Sequence, residues 1–448
     1  MTGFENDGMR RRSLLAGAVG LGAAAALPMS AARAASGPAS GTSMRRYPTN
    51  WPDLQPYGAA DTRLDLWPRD DNSLILPLEL RPRDKDRGVV WMRDFYVNCF
   101  QDHGAPVYVA TGTTRAPGLD IAAPWNDGIF LWVAPSLKGP WRLIDTTGLR
   151  PDAEKGKVWS PEFVGENTAT RTVVAPWQEY WYDDMFGKRG EVWAPEVHRF
   201  GGKWYIVACM GDHSQKVGSF MLVSEGGLEG PYRLVEGNVE KPFGDSFIGG
   251  PSFIKPGAYF HIDGSFFSEG DDAWLVLHND LYAKFRPDME DITTPTNLPV
   301  FAQAPYSPEP YREGVYVFKH GGKYYLSQAV WDRQYSAADG STQNAYNRLG
   351  AGTQQYQYDS VLAVADRFEG PYSVRWTAGV GLGHNNFFTD TSGKLWSTFF
   401  RNPNFGYWAD PSRVAQGAVP GIVQVEWTGP AGNRVYVERR NPGHASDG

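Results

Sequence analysis

The feature that most constrains this chain is a repeated turn-and-strand unit. Gly202-Lys203-Trp204-Tyr205-Ile206-Val207, Gly322-Lys323-Tyr324-Tyr325-Leu326 and Gly393-Lys394-Leu395-Trp396 each join a glycine turn to an aromatic, apolar run. Asp272-Ala273-Trp274-Leu275-Val276-Leu277 and Gly104-Ala105-Pro106-Val107-Tyr108-Val109 are looser copies. A second unit, Gly-Pro-aromatic, follows three of them at Gly139-Pro140-Trp141, Gly230-Pro231-Tyr232 and Gly370-Pro371-Tyr372. Before it lie the alternating apolar stretches 129–134, 219–224 and 360–365. Turn residues that punctuate apolar runs at this spacing predict strands. Five copies of a four-stranded unit predict an all-β, five-bladed β-propeller, in which radial repetition leaves only short sheet edges.

Composition agrees. The 448 residues hold 51 Gly and 33 Pro beside 17 Trp, 22 Tyr and 23 Phe, as turns between aromatic-rich strands require. The formal charge of −7 excludes a nucleic-acid binder that works through a basic surface. Residues 1–34 read as a twin-arginine signal peptide: Arg10-Arg11-Arg12-Ser13-Leu14-Leu15, a short apolar run, then Ala32-Arg33-Ala34 as the cut site. The run is too short to span a bilayer, so the expectation is a secreted or periplasmic protein without membrane insertion. Residues 35–85 read as an N-terminal linker or extension, 86–438 as the propeller and 439–448 as a tail. Cys99 and Cys209 lie in apolar stretches and read as buried free thiols, with a disulfide left open by export.

Polar residues interrupt strands that are otherwise apolar. Nine residues before the hairpin markers Gly202, Asp272, Gly322 and Gly393 stand Trp193, Asp263, Glu313 and His384, and ten before Gly104 stands Asp94. These five are expected to occupy equivalent places and to converge on the propeller axis. Unpartnered buried carboxylates are costly, so such a set points to a site. Trp125 and Asp127, in Trp125-Asn126-Asp127-Gly128, are weaker candidates for contact with a ligand, since a turn before a strand needs no function. Glu196 is expected either to bind substrate hydroxyls or to pair with a neighbour. The polar insertion 332–359 is expected to cap the pocket or to mediate oligomers, and the aromatic cluster 177–182 to line the pocket rim or to pack on the propeller side.

Several segments resemble those of glycoside hydrolase family 43, the arabinanase and xylosidase group. They are Arg93-Asp94-Phe95-Tyr96-Val97, Trp193-Ala194-Pro195-Glu196-Val197-His198, Ile262-Asp263-Gly264-Ser265-Phe266-Phe267, Glu313-Gly314-Val315-Tyr316 through Tyr325, and Gly383-His384-Asn385. They stand in the family's order. The resemblance implies a five-bladed propeller that cleaves glycosidic bonds with inversion, with Asp94 as general base, Glu313 as general acid and Asp263 orienting and tuning the acid. It also implies a sugar subsite at Trp193, and His384 beneath the sugar, holding a water or a cation such as Ca2+. No other cofactor is expected, the partner is a carbohydrate, and oligomerisation is left open. Phe95, Gly264 and Val315 depart from the family pattern and mark a divergent branch. Inverting hydrolysis suits two carboxyl groups on opposite sides of the scissile bond, one ionised to activate water and one protonated to meet the leaving oxygen. Terminal arabinofuranosyl or xylosyl units are the expected substrates, removed by exo action. The alternatives are a family 117-like enzyme releasing anhydro-galactose from agar fragments and a sugar-binding propeller without catalysis.

Overall fold

A computed structural model describes residues 73–80, 90–114, 128–160, 182–183, 188–189, 191–211, 217–239, 242–243, 262–277, 280–300, 312–331, 334–336, 342–344, 358–373, 375–379, 382–400, 420–428 and 434–437. Regular structure among them is strands, apart from one 3-10 turn at Glu236–Asn238. Residues 1–34, Trp125, Asp127, the tail and most of 177–182 and 332–359 lie outside the described residues.

Five antiparallel sheets form the blades of a five-bladed propeller, and three two-stranded ribbons accompany them among the described residues. Blade 1 runs Met92–Asp102, Ala105–Thr114, Trp132–Ala134, Arg142–Leu143 from the axis outward, and blade 2 runs Glu191–Phe200, Lys203–Gly211, Val217–Gly227, Gly230–Leu234. Blade 3 comprises Ser265–Glu269, Asp272–Leu277, Leu281–Lys284 and Thr296–Asn297. Blade 4 comprises Arg312–His320, Lys323–Trp331, Tyr358–Ala365 and Trp376–Gly379. Each repeated Gly-Lys-aromatic unit is the start of a second strand, and its aromatic residues pack between blades. Phe318 of blade 4 stacks on Phe387 of blade 5 with ring centroids 4.2 Å apart, and Tyr205 of blade 2 stacks on Phe266 of blade 3 at 6.1 Å. The sheets thus meet face to face over ring surfaces that stay out of water.

Two expectations change at the sheet edges. The Gly-Pro-aromatic unit opens the fourth strand in blades 1 and 2, but in blade 4 the fourth strand is Trp376–Gly379, beyond it. Tyr372 there makes only an isolated bridge with Val300, and its hydroxyl donates to the Phe368 carbonyl. Blade 5 is built from Phe387–Thr389, Leu395–Phe400 and Pro420–Thr428, and its fourth strand is Ser73–Ile75. The propeller therefore takes in residues ahead of 86, because a last blade closed by a strand from the chain's beginning leaves no open seam.

The other side of the closure is held by a side chain. Asn386, buried beside the inner strand of blade 5, accepts from the Val97 N–H through Oδ1 (3.1 Å) and donates from Nδ2 to the Val97 carbonyl (2.7 Å). Its amide acts as one more peptide unit between blades 5 and 1. Its neighbour Asn385 ties blade 4 to blade 5, accepting from Ser327 and Ser360 and donating to Ser397. Replacing Asn386 by Leu leaves a buried N–H and C=O unpaired, at roughly 1–3 kcal/mol each. The expected outcome is a loss of about 2–6 kcal/mol in a urea titration at constant m. An unchanged midpoint would show that the seam does not depend on this amide.

Candidate active site

The inner strands do not run straight. In blade 1 the pairing steps from Arg93↔Thr113 to Tyr96↔Thr111, in blade 2 from Trp193↔Cys209 to Glu196↔Val207, and in blade 4 from Glu313↔Ala329 to Tyr316↔Ser327. Two residues therefore face one on the second strand, which defines a β-bulge. The first bulged residue is left-handed: Asp94 (φ 49°), Ala194 (φ 49°) and Gly314 (φ 60°). Asp263 (φ 51°) and His384 (φ 54°) take the same conformation just before the inner strands of blades 3 and 5. A left-handed backbone is uncommon for residues with a Cβ and is kept only where the surroundings enforce it.

These left-handed positions are the true equivalents, and they correct the register expected from sequence. Asp94, Asp263 and His384 correspond to one another, but their counterparts in blades 2 and 4 are Ala194 and Gly314. Trp193 and Glu313 stand one residue earlier, just before the bulge. The cause lies at the hairpins. Gly202 and Gly322 are turn residues, whereas Asp272 is already the first residue of its strand, so counts from these markers do not start at the same place.

The bulge frees backbone N–H groups that the ladder cannot pair, and buried N–H groups need partners. They find them across the blades. The Ala194 N–H donates to Thr113 Oγ1 at 2.8 Å, the Gly264 N–H to Ser219 Oγ at 3.0 Å, and the Gly314 N–H to Asp263 Oδ2 at 2.9 Å. Gly314 has a second reason to lack a side chain, since a Cβ there would lie 2.6 Å from His384 Cγ.

Three ionisable side chains meet at the axis. His384 Nδ1 lies 3.2 Å from Asp94 Oδ1 and 3.8 Å from Asp263 Oδ2, and the three side chains are 11%, 11% and 6% exposed. Thr113 Oγ1 donates to Asp94 Oδ2 at 2.7 Å. Cys209 Sγ lies 3.6 Å from both Asp263 Oδ1 and the Trp193 carbonyl oxygen. Cys209 is a buried free thiol and Cys99 a half-buried one. Burial alone would raise Asp94, but the His384 charge and hydrogen bond, with Arg93 and Thr113, outweigh it and hold its carboxyl at about 2. Burial would lower His384, but the charges of Asp263 and Asp94, the Asp94 hydrogen bond and the Glu313 charge raise it to about 9. Burial and the Asp94 charge raise Asp263, against the pull of His384. At neutral pH the centre is an imidazolium held between carboxyl groups.

Glu313 reaches this group by charge and through its neighbour, since the amide that follows it is the one bonded to Asp263. Trp193, half-buried, stands at the corresponding place in blade 2. Glu196 is not brought to the axis. It lies in the seam between blades 2 and 3, where its Oε2 is 2.9 Å from His198 Nε2 and accepts from Ser265 Oγ (2.9 Å) and the Phe266 N–H (3.4 Å). The pairing with neighbours expected as one alternative is what its surroundings provide.

Sequence reasoning missed two groups. One is Thr113, whose signal was only a threonine beside Gly112. A Cβ on Gly112 would lie 2.7 Å from the Arg93 carbonyl oxygen, so this glycine lets the bulge approach. The other is a buried network next to Glu313, in which Asp280 accepts from Arg312 Nη2 (3.0 Å), Gln328 Nε2 (2.8 Å) and Arg375 Nη2 (2.6 Å). Its members are scattered over blades 3 and 4, so no local pattern announces it. For a calcium ion, which takes six to eight oxygen ligands, the donor set fits poorly. The described carboxylates nearest His384 are turned to its Nδ1, and an imidazolium is no ligand.

The pH dependence of stability follows from these shifts. His384 lies above its free value of 6.5, so its contribution is complete below about pH 6.5 and is lost as pH rises through about 9. Asp94 lies below its free value of 3.8, so its contribution holds above that pH and is lost as pH falls toward 2. Thermal midpoints of the protein are expected to decline between pH 6.5 and 9, by the equivalent of on the order of 3 kcal/mol. His384→Gln should lack that decline. Parallel curves for the two proteins would mean that His384 is not charged in the folded state.

The sequence profile of glycosyl hydrolases family 43 matches residues 167–430, more than half of the chain. The span takes in Trp193, Asp263, Glu313 and His384 and begins after blade 1, which carries Asp94. The extracellular exo-alpha-(1->5)-L-arabinofuranosidase of Streptomyces avermitilis is 25% identical over 241 residues, 52% of this chain and 47% of that protein. The chain thus spans about half the length of that curated relative. Among solved structures, a thermostable family-43 glycoside hydrolase is 17% identical with a TM-score of 0.48, over 80% of this chain and 96% of that one. An exo-1,5-alpha-L-arabinanase from a bovine ruminal metagenomic library is 12% identical with a TM-score of 0.47, over 78% and 96%. By the match over blades 2 to 5, the chain belongs to glycosyl hydrolases family 43.

Proposed function

We propose that this protein is an exported, inverting, exo-acting glycoside hydrolase that removes arabinofuranosyl or xylosyl units from the ends of plant-type oligosaccharides. The observation that carries the proposal is the meeting of Asp94, Asp263 and His384 at the axis, with Glu313 one residue from the amide that Asp263 accepts. Asp94, ionised across the working pH range, is the general base that takes a proton from the attacking water. Glu313 is the general acid that protonates the departing glycosidic oxygen. Asp263 does not touch the sugar in this scheme. Through the Gly314 N–H it fixes the backbone that carries Glu313, and it contributes to the field at the acid. Trp193 forms the apolar wall against which the sugar ring packs. Trp125 and Asp127 are further candidate substrate contacts.

His384 supplies the positive charge that lets carboxylates lie buried side by side. We assign that charge to the imidazolium and not to a bound calcium ion. The sugar class rests on family membership and on the arabinofuranosidase relative, whose name also supports exo action and an extracellular location. Export through the twin-arginine route rests on the arginine-rich start of the chain.

The test is nitrophenol release from α-L-arabinofuranoside, β-D-xyloside, galactofuranoside and galactoside probes by the protein without residues 1–34. Release is expected from one of the first two, and NMR of the first product should show the inverted anomer. Asp94→Asn and Glu313→Gln should each lower kcat by about 10²–10⁴-fold, the acid variant less on nitrophenyl substrates, whose leaving group needs little protonation. Full turnover by Asp94→Asn would end the assignment of the base. EDTA should leave the rate unchanged, and a rate lost to EDTA and restored by Ca2+ would overturn the role given to His384.

A further inference from the structure

We infer that Thr113 is a positioning residue that fixes the orientation of Asp94 and sets it in register with the strand carrying Trp193. This inference rests on the reading of Asp94 as the base. Thr113 is on the second strand of blade 1, directly opposite Arg93, and is buried. Its Oγ1 lies 2.8 Å from the Ala194 nitrogen and 2.7 Å from Asp94 Oδ2. A backbone amide can only donate, so the hydroxyl oxygen accepts there, and its single proton is left to point at Asp94. Asp94 is ionised and can only accept, which leaves the same direction from the other side. The line N–H of Ala194, hydroxyl of Thr113, carboxylate of Asp94 therefore has one polarity. A β-branched side chain with few χ1 choices holds it still.

The geometry has a functional consequence. Asp94 is held on two sides, by His384 from blade 5 at Oδ1 and by Thr113 at Oδ2. The carboxylate plane is thereby fixed, and each oxygen keeps a second lone pair for the attacking water. The Ala194 amide belongs to the peptide that follows Trp193, so the same hydroxyl that aims the base also spaces it from the sugar wall. A misplacement of about 1 Å can cost on the order of a hundredfold in rate, so a contact that fixes the base carries weight.

The experiment compares Thr113→Val, Thr113→Cys and Thr113→Ser with the parent protein and Asp94→Asn on the nitrophenyl arabinofuranoside and xyloside probes. Thr113→Val keeps the shape and loses the donor. Its kcat is expected to fall about ten- to a hundredfold with KM unchanged. Thr113→Ser keeps the hydroxyl and should recover most of kcat. If Thr113→Val does not fold, Thr113→Cys takes its place, since a thiol fills the site but donates weakly, and the same fall in kcat is expected. A Val or Cys variant with parental kcat overturns the inference, as does a Val variant whose loss appears in KM alone. A crystal structure of the Val or Cys variant decides it without turnover: the Asp94 carboxylate should be rotated from its parental plane, and an unmoved carboxylate counts against the inference. Should the parent protein cleave neither probe, or Asp94→Asn cleave them fully, the functional reading fails, and that crystal structure still answers the question about Thr113.

Discussion

The site depends on a backbone irregularity before it depends on any side chain. A left-handed residue where each inner strand begins or bulges does two things. It turns Asp94, Asp263 and His384 toward a common axis, and it releases amides that the sheet cannot use. Those amides are satisfied by Thr113, Ser219 and Asp263, each in the preceding blade. The bulges therefore stitch neighbouring blades together at the radius where the chemistry is placed. In blade 2 the second bulged residue is Pro195, which has no N–H to satisfy, and in blade 4 the first is Gly314, which has no Cβ to clash. The local sequence is chosen for the bulge as much as for the site.

Burial of the carboxyl groups follows from the same arrangement. Carboxylates alone in a dry axis would be protonated or would disrupt the fold. His384 changes the balance by lying within reach of two of them, and it stays charged because they surround it. The dependence is mutual: the imidazolium holds Asp94 ionised, and Asp94 with Asp263 holds the imidazole protonated. One carboxyl held ionised beside another pushed upward is an asymmetry in charge that neither group would show alone.

Much of this was legible in the sequence because repetition exposes it. The Gly-Lys-aromatic units mark second strands, and polar residues at a fixed distance before them mark the axis, which was enough to name Asp94, Asp263, Glu313 and His384. The one-residue displacement of Trp193 and Glu313 was not legible, because the sequence does not show that Gly202 and Gly322 stand in the turn while Asp272 is already in its strand. The closing strand Ser73–Ile75 was hidden for another reason. Three residues carry too little pattern to be called a strand until their partner, Gly421 to Val423, is known. Glu196 was ambiguous because its role depends on Ser265 and Phe266, which the fold brings in from the next blade.

The placing of the pair Asp94 and His384 has a consequence for the whole ring. Asp94 belongs to the first blade and His384 to the last, so their contact crosses the seam where the propeller closes. Two residues beyond His384, Asn386 bonds both backbone groups of Val97, three residues beyond Asp94. The strand Ser73–Ile75 completes the outer edge of the same last blade. Contacts within a blade are local in sequence, but these join residues almost three hundred positions apart and form only when the ring is shut. The pairing that holds Asp94 ionised therefore exists only in the closed propeller. An open or partly assembled ring would separate Asp94 from His384 and let the carboxyl return toward its ordinary range, so closure of the fold and competence of the site are one event.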